Sequence, residues 1–305
     1  MEIKFKLSTS KTIATAVIYF FLFFIGDLLN SILFDFLFSF VKLPYIELYT
    51  IPRVLGCILV TYFLFWLYTT KVLHLSMKDF GITFNIRKWG VALSIFLPLA
   101  IIITYLLIGQ GESNWNYFSV GDIVLISTAS LITALRAGIL EEIVFRGFIM
   151  RLFESRWNKY IAFLVPSFLF SLVHIPSIKP FTINGLLLLV ISGTLVGIMF
   201  SLVAYEGKSI SNSILMHSIW NFTIVTSFLH ITTEQGAWGE PIFSIIIPAN
   251  NILITGTGFG VEASIISITG YFFVCCAVVF IHRRRNIQNN VYQEKIDSRE
   301  NGVIH

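Results

Sequence analysis

The chain has 305 residues, of which 56% are hydrophobic and only 12% charged, and its net charge is +4. A soluble domain carries about twice that charged fraction, so composition excludes an ordinary soluble enzyme. It predicts an all-α, polytopic membrane protein whose first partner is the lipid bilayer, and the modest basic excess is a poor basis for binding nucleic acid.

Apolar runs of membrane-spanning length recur at 13–35, 52–70, 89–109, 120–140, 160–175, 184–204, 209–230 and 262–281, which predicts about eight transmembrane helices. The first run follows Lys4, Lys6 and Lys11. It is too long for a signal-peptide core and lacks a clear small-residue cleavage site, so it reads as a retained helix. The organisation expected is helices one to three over 1–118, a core of helices four to seven over 119–230, and a loop, last helix and tail over 231–305. The polar stretch after Arg285 reads as loosely ordered.

Basic residues orient this arrangement. With the N-terminus inside, the cytoplasmic segments hold Lys4, Lys6, Lys11, Lys71, Lys78, Arg87, Lys88, Arg151, Arg156, Lys159, Lys208, Arg283, Arg284, Arg285, Lys295 and Arg299. The external loops, which include Gly111 and Gly236, hold only Lys42, Arg53 and Lys179. Such an asymmetry sets topology and predicts a multi-pass protein of the cell membrane with both termini cytoplasmic. Arg151 is expected at the wet interface. Cys57, Cys275 and Cys276 lie in apolar runs as small packing residues, with neither zinc-type spacing nor a disulfide framework.

The polar residues are unevenly spread. Spans one to three and eight carry scattered groups, chiefly Asp27 and Asp35, which read as structural or cavity-facing. Span four ends in Leu-Glu-Glu-Ile-Val-Phe-Arg (140–146), span five carries His174, and span seven carries His217 and Asn221. Span six offers Ser192, Gly193, Thr194 and Gly197, small residues that allow close helix packing. Ionisable side chains at membrane depth are costly and tend to mark function. Glu142 and Arg146, four apart, share a helix face and can pair; Glu141 points away and is left free. Phe170 with His174, and His217 with Asn221, have the same spacing and can face one cavity. Taken singly, each is explained by structure: an imidazole bonded to a carbonyl, an ion pair, interhelical hydrogen bonds. Together, a free carboxylate, two imidazoles and a carboxamide make a hydrolytic set, with a base for water and donors for an oxyanion.

Glu-Glu-Ile-Val-Phe-Arg (141–146), Phe-Ser-Leu-Val-His (170–174) and His-Ser-Ile-Trp-Asn (217–221) resemble, in order, the EExxxR, FxxxH and HxxxN/B motifs of the CPBP family. These are the CAAX-protease and bacteriocin-processing (Abi) intramembrane peptidases, which include type II CAAX prenyl endopeptidases. The resemblance covers about residues 120–225. It implies an eight-helix intramembrane protease with a cavity open to the cytoplasm. By position, Glu141 is the general base, His174 helps to hold the water, and His217 and Asn221 stabilise the oxyanion, while Glu142 and Arg146 orient the site. The substrate implied is a membrane-associated or prenylated peptide or protein. No cofactor is the first expectation; the alternative is zinc on Glu141, His174 and His217, although the chain has no His-Glu-x-x-His signature.

One depth is awkward. Pro176 should end the helix bearing His174. Counting ~1.5 Å per residue puts His174 about 22 Å from the cytoplasmic edge at Lys159, against about 15 Å for Glu141 and about 14 Å for His217. Tilt, or a break at Pro166, is needed to bring them level. Two rival classes stand beside the peptidase: a transporter using Glu141, His174 and His217 as a proton or ion path, and a non-catalytic immunity or scaffold protein. Transporters often carry internal repeats, and none is evident.

Overall fold

The computed structural model describes residues 5–108, 113–116, 118–233, 240–247 and 251–301; Lys4, Gly111 and Gly236 lie outside the described residues. The chain folds as helices α1 (Thr9–Phe38), α2 (Ile46–Leu67) and α3 (Lys88–Ile108), strand β1 (Ser113–Trp115), and helices α4 (Val120–Glu142), α5 (Met150–Arg156), α6 (Lys159–Val173), α7 (Ile183–Gly207) and α8 (Ser211–Trp220). Strands β2 (Leu229–Thr232) and β3 (Phe243–Ile246), the short α9 (Ile252–Thr255) and the long α10 (Ile265–Asn301) complete it. Local sequence sets several boundaries. Ser119 and Asp122 form a reciprocal capping box that starts α4. Asn158 caps α6 by accepting from Tyr160 and Ile161.

Among the described residues, seven helices are long and apolar enough to cross a membrane: Thr9–Phe38, Ile46–Val72, Lys88–Ile108, Val120–Arg156, Lys159–Ser177, Ile183–Gly207 and Ile265–Asn290. The run at 209–230 becomes the ten-residue α8 and a five-residue π turn, Asn221–Val225. Its shortness has a physical reason. Ser211, Asn212, Ser213, Met216, His217, Ser218 and Trp220 are buried, and α8 packs against α3, α4 and α7. Walled by protein, it need not match the bilayer thickness.

Two other expectations change. The segment after Arg285 is helical, since α10 runs unbroken to Asn301; that stretch has no Gly or Pro before Gly302 to break it. The loops also form a small sheet of order β1-β3-β2, with β1 antiparallel and β2 parallel to β3. Its strands are of three or four residues, too short for periodicity to reveal.

Close helix approaches bring the three motifs together. A Cβ on Gly193 would lie 2.7 Å from Ser171 Cβ, and one on Gly197 2.6 Å from Ser167 Cβ, so α7 lies tight on α6. On α4, a Cβ on Gly138 would collide with the hydroxyl of Ser218, so α8 is equally close. Small residues serve here as span six suggested. Pro166 leaves α6 continuous, and the helix ends at Val173 with His174 as its C-cap, a single 3-10 turn of Ile175–Ser177 following. The end set by Pro176 is where it was expected.

Candidate active site

Glu142 and Arg146 are both fully buried, and Arg146 Nη1 lies 2.8 Å from Glu142 Oε1. The guanidinium also donates to the Gly197 carbonyl at 3.2 Å and lies over the rings of Phe170 (4.6 Å) and Phe200 (5.1 Å). It is therefore held by charge, hydrogen bond and aromatic faces together. The same Glu142 Oε1 accepts from His217 Nδ1 at 3.0 Å, and the His217 ring stacks on Phe200 with centroids 4.7 Å apart. Arg146 lies in a π-helical stretch, Ile143–Ile149, directly after the carboxylates, and Asn221 begins another. Single π turns of this kind occur frequently at functional sites.

Glu141 faces the other way, into a cavity of about 560 Å³ that is also lined by His174, His217 and Asn221. Its Oε2 lies 3.9 Å from both His174 Nε2 and His217 Nε2. That is too long for a hydrogen bond and suits a small reactant in contact with all three groups. Each imidazole is fixed by its other nitrogen: His174 Nδ1 lies 2.7 Å from the Phe170 carbonyl, and His217 Nδ1 meets Glu142. Carbonyl and carboxylate only accept, so each Nδ1 carries the proton and each Nε2 is turned to Glu141.

The depth problem is thereby resolved. His174 meets Glu141 as the C-cap residue just after α6, where the chain bends into the 3-10 turn; no break at Pro166 is involved. All four motif residues are brought to one cavity, and Glu142 with Arg146 stands behind it.

Several expectations elsewhere need correction or detail. Arg151 is 1% exposed, paired with Glu154 at 2.7 Å and set beside the Tyr205 ring; it is part of the core, because α5 continues the line of α4 and packs on α6. Asp27 pairs with Arg136 at 2.6 Å and Asp35 with Arg53, the structural role expected of both. The cavity lies toward the bundle end that holds β2, the Ile175–Ser177 turn and the start of α2, opposite the start of α1 and the part of α10 beyond His282: Ser177, Ser227, His230 and Glu47 line it. Cytoplasmic termini and a cavity open to the cytoplasm are therefore mutually exclusive in this fold.

Sequence reasoning missed Glu262. Three residues before the last span, it lines the cavity and accepts a hydrogen bond from Trp220 Nε1 at 2.8 Å. Burial pushes its carboxyl above the usual range, although the Trp220 bond and the two imidazoles pull the other way. An acidic residue at the first position of the run 262–281 was the available signal. His230, from β2, also lines the cavity, and burial holds its imidazole below the ordinary value; nothing in the sequence around it marks it out.

Residues 123–223 match the family described as Rce1-like, type II CAAX prenyl endopeptidase Rce1-like. The match spans all three motifs, so the resemblance to CAAX-type intramembrane proteases holds for the segment that builds this face of the cavity. No curated protein and no solved structure matches the chain. The CPBP segment supplies only part of the wall: Glu47 and Thr50 come from α2, and Glu262 and Tyr271 from the C-terminal region.

Proposed function

We propose that the protein is an intramembrane endopeptidase that cleaves a peptide bond in a membrane-associated or prenylated-like peptide or protein by a Glu141-activated water. The approach of Glu141 Oε2 to two imidazole Nε2 atoms, 3.9 Å each, carries this reading. Glu141 takes a proton from water as the oxygen attacks the scissile carbonyl carbon. His174 Nε2, its lone pair turned inward by the Nδ1–Phe170 bond, accepts from the same water. The carbonyl electrons move onto oxygen, and the oxyanion is met by the Asn221 carboxamide, with the His217 ring, held by Glu142 through Nδ1, facing the same oxygen. The proton on Glu141 then passes to the amine nitrogen as the C–N bond breaks, giving acid and amine.

Zinc is the competing cofactor. Each imidazole donates from Nδ1 to an oxygen acceptor, as metal-bound imidazoles do. Yet among the described residues no group of three or more His, Cys, Asp or Glu is placed to hold a metal ion, and the 3.9 Å separations are wide for ligands of one small cation.

The purified protein in detergent, given peptides that differ between membranes with and without it, provides the test. Glu141→Gln keeps shape and hydrogen bonding but cannot accept the proton, so turnover should fall by about 10²–10⁴ with unchanged melting. Wild-type turnover by this variant would sink the reading. Activity lost to a chelator and restored by zinc would replace the metal-free account with the zinc one. The placement proposed is the cell membrane with both termini cytoplasmic, supported by the basic asymmetry; a reporter fused after Arg285 should read internal.

A further inference from the structure

We infer that the cavity holding Glu141 opens on the non-cytoplasmic face of the membrane, so that a substrate peptide reaches it from that side. The two ends of the bundle are distinguishable by the segments tied together at each. At one end Arg156 Nε donates to Thr9 Oγ1 at 2.7 Å, Ser211 Oγ donates to the Thr83 carbonyl at 2.6 Å, and Arg285 on α10 pairs with Glu206 on α7 at 2.8 Å. This end gathers the start of α1, the 73–87 connection, the α5–α6 and α7–α8 turns and the part of α10 beyond His282. At the other end Tyr105 Oη donates to the Ile254 carbonyl at 2.6 Å, Lys179 N to Gly258 at 2.8 Å, and Asn116 Nδ2 to Pro241 at 2.7 Å.

Charge separates the same two ends. Lys6, Lys11, Lys71, Lys78, Arg87, Lys88, Arg156, Lys159, Lys208 and Arg283–Arg285 belong to the first. The second has Lys42, Arg53 and Lys179, with Arg53 already paired to Asp35. Basic residues in short connections stay in the cytoplasm, so the first end is the cytoplasmic one. The cavity is lined from the second end only: Glu47, Ser177, Ser227, His230, Gly260 and Glu262 contribute, and no residue of 73–87, 156–159 or 208–210 does. From there Thr133, Ser130 and Ile126 carry the lining along successive turns of α4 down to the level of Glu141. A cytoplasmic peptide would have to cross the packed layer of Phe145, Phe148 and Met150, all buried.

Only the word substrate rests on the peptidase reading; the direction of opening does not, and it is tested without turnover. In the full chain with Cys57, Cys275 and Cys276 changed to Ser, three single cysteines are compared in intact cells with a membrane-impermeant maleimide: Ser177→Cys at the mouth, Thr133→Cys about 12 Å above Glu141 along α4, and Lys78→Cys at the opposite end. Ser177→Cys and Thr133→Cys should label before the membrane is breached and Lys78→Cys only afterwards. Labelling of Ser177→Cys and Thr133→Cys only after breach overturns the inference, and so does a Thr133→Cys that stays unlabelled beside a labelled Ser177→Cys. If one variant is not made in folded form, Ser227→Cys reports the same opening. Loss of peptidase activity with external labelling retained would remove the proposed reaction and leave the opening intact.

Discussion

The protein builds the same trio twice. In each, a buried carboxylate sits between an arginine and the Nδ1 of a histidine: Glu142 with Arg146 and His217 beside the cavity, Glu206 with Arg285 and His282 at the terminal end. Distances are alike, 2.8 and 3.0 Å in the first against 2.8 and 2.6 Å in the second. Surroundings differ. Arg146 has no exposed surface and His217 is 6% exposed, whereas Arg285 and His282 are 32% and 44% exposed. The outward nitrogen differs as well: His282 Nε2 meets the Asn286 carboxamide at 3.0 Å, while His217 Nε2 faces Glu141 across the cavity. One constellation is thus a clasp that fixes α10 to α7, and the other a support that aims an imidazole. Residue type does not separate them; burial and the far side of the ring do.

The largest expected effect sharpens that contrast in stability. Arg146→Ala leaves the Glu142 carboxylate buried with no cation, which costs about 3–5 kcal/mol when a buried pair is broken. Arg285→Ala removes one solvent-reached partner, worth about 1 kcal/mol or less. Thermal unfolding of both variants in the same detergent measures the gap, and equal losses would abolish the distinction drawn from burial. Arg151, being buried, is not the neutral control that its place in the sequence suggested.

The contrast in function comes next. His217→Asn places an amide where Nδ1 stood, so Glu142 keeps a donor, but nothing replaces Nε2. Peptide release should drop by about 10²–10³, the usual cost of one oxyanion donor, and Asn221→Ala should fall in the same range. His282→Asn should leave turnover at the wild-type level. A His217→Asn protein as active as wild type would reduce the cavity trio to a second clasp.

Much of this site was legible in the sequence because its geometry is local. The Glu142–Arg146 pair, the outward turn of Glu141 and the Phe170–His174 and His217–Asn221 spacings all follow from 3.6 residues per turn. Span six yielded its role for the same reason, since small residues at 193 and 197 mean close contact wherever the partner lies. What the sequence hid depends on contacts distant along the chain. Glu206 finds its partners 76 and 79 residues later, and Glu262 meets Trp220 across 42. The short α8 was read as a span because apolar length alone does not tell a helix wrapped in protein from one wrapped in lipid. The resemblance implied a cavity open to the cytoplasm and the charges implied cytoplasmic termini; the packing adds that the cavity mouth and the start of α1 lie at opposite ends of the bundle.

The smallest expected effect concerns the carboxyl that the motifs do not include. Burial raises the Glu262 pKa above its ordinary 4.5 in the folded state, so the folded protein holds this proton to higher pH than the unfolded chain does. The sign follows. Below about pH 4.5 both states are protonated and the group makes no difference to stability. As pH rises, the unfolded carboxyl ionises first, and folding stability is lost until the folded carboxyl ionises too. Glu262→Gln cannot ionise, and its Oε1 still accepts from Trp220 Nε1. The melting temperature of the variant relative to wild type should therefore climb as pH goes from about 4.5 to about 8, by a modest shift set by one group. A difference that stays flat across that window would mean that Glu262 ionises as an exposed carboxyl does, and that the cavity wall just before α10 is wetter than its packing against Trp220 and Tyr271 implies.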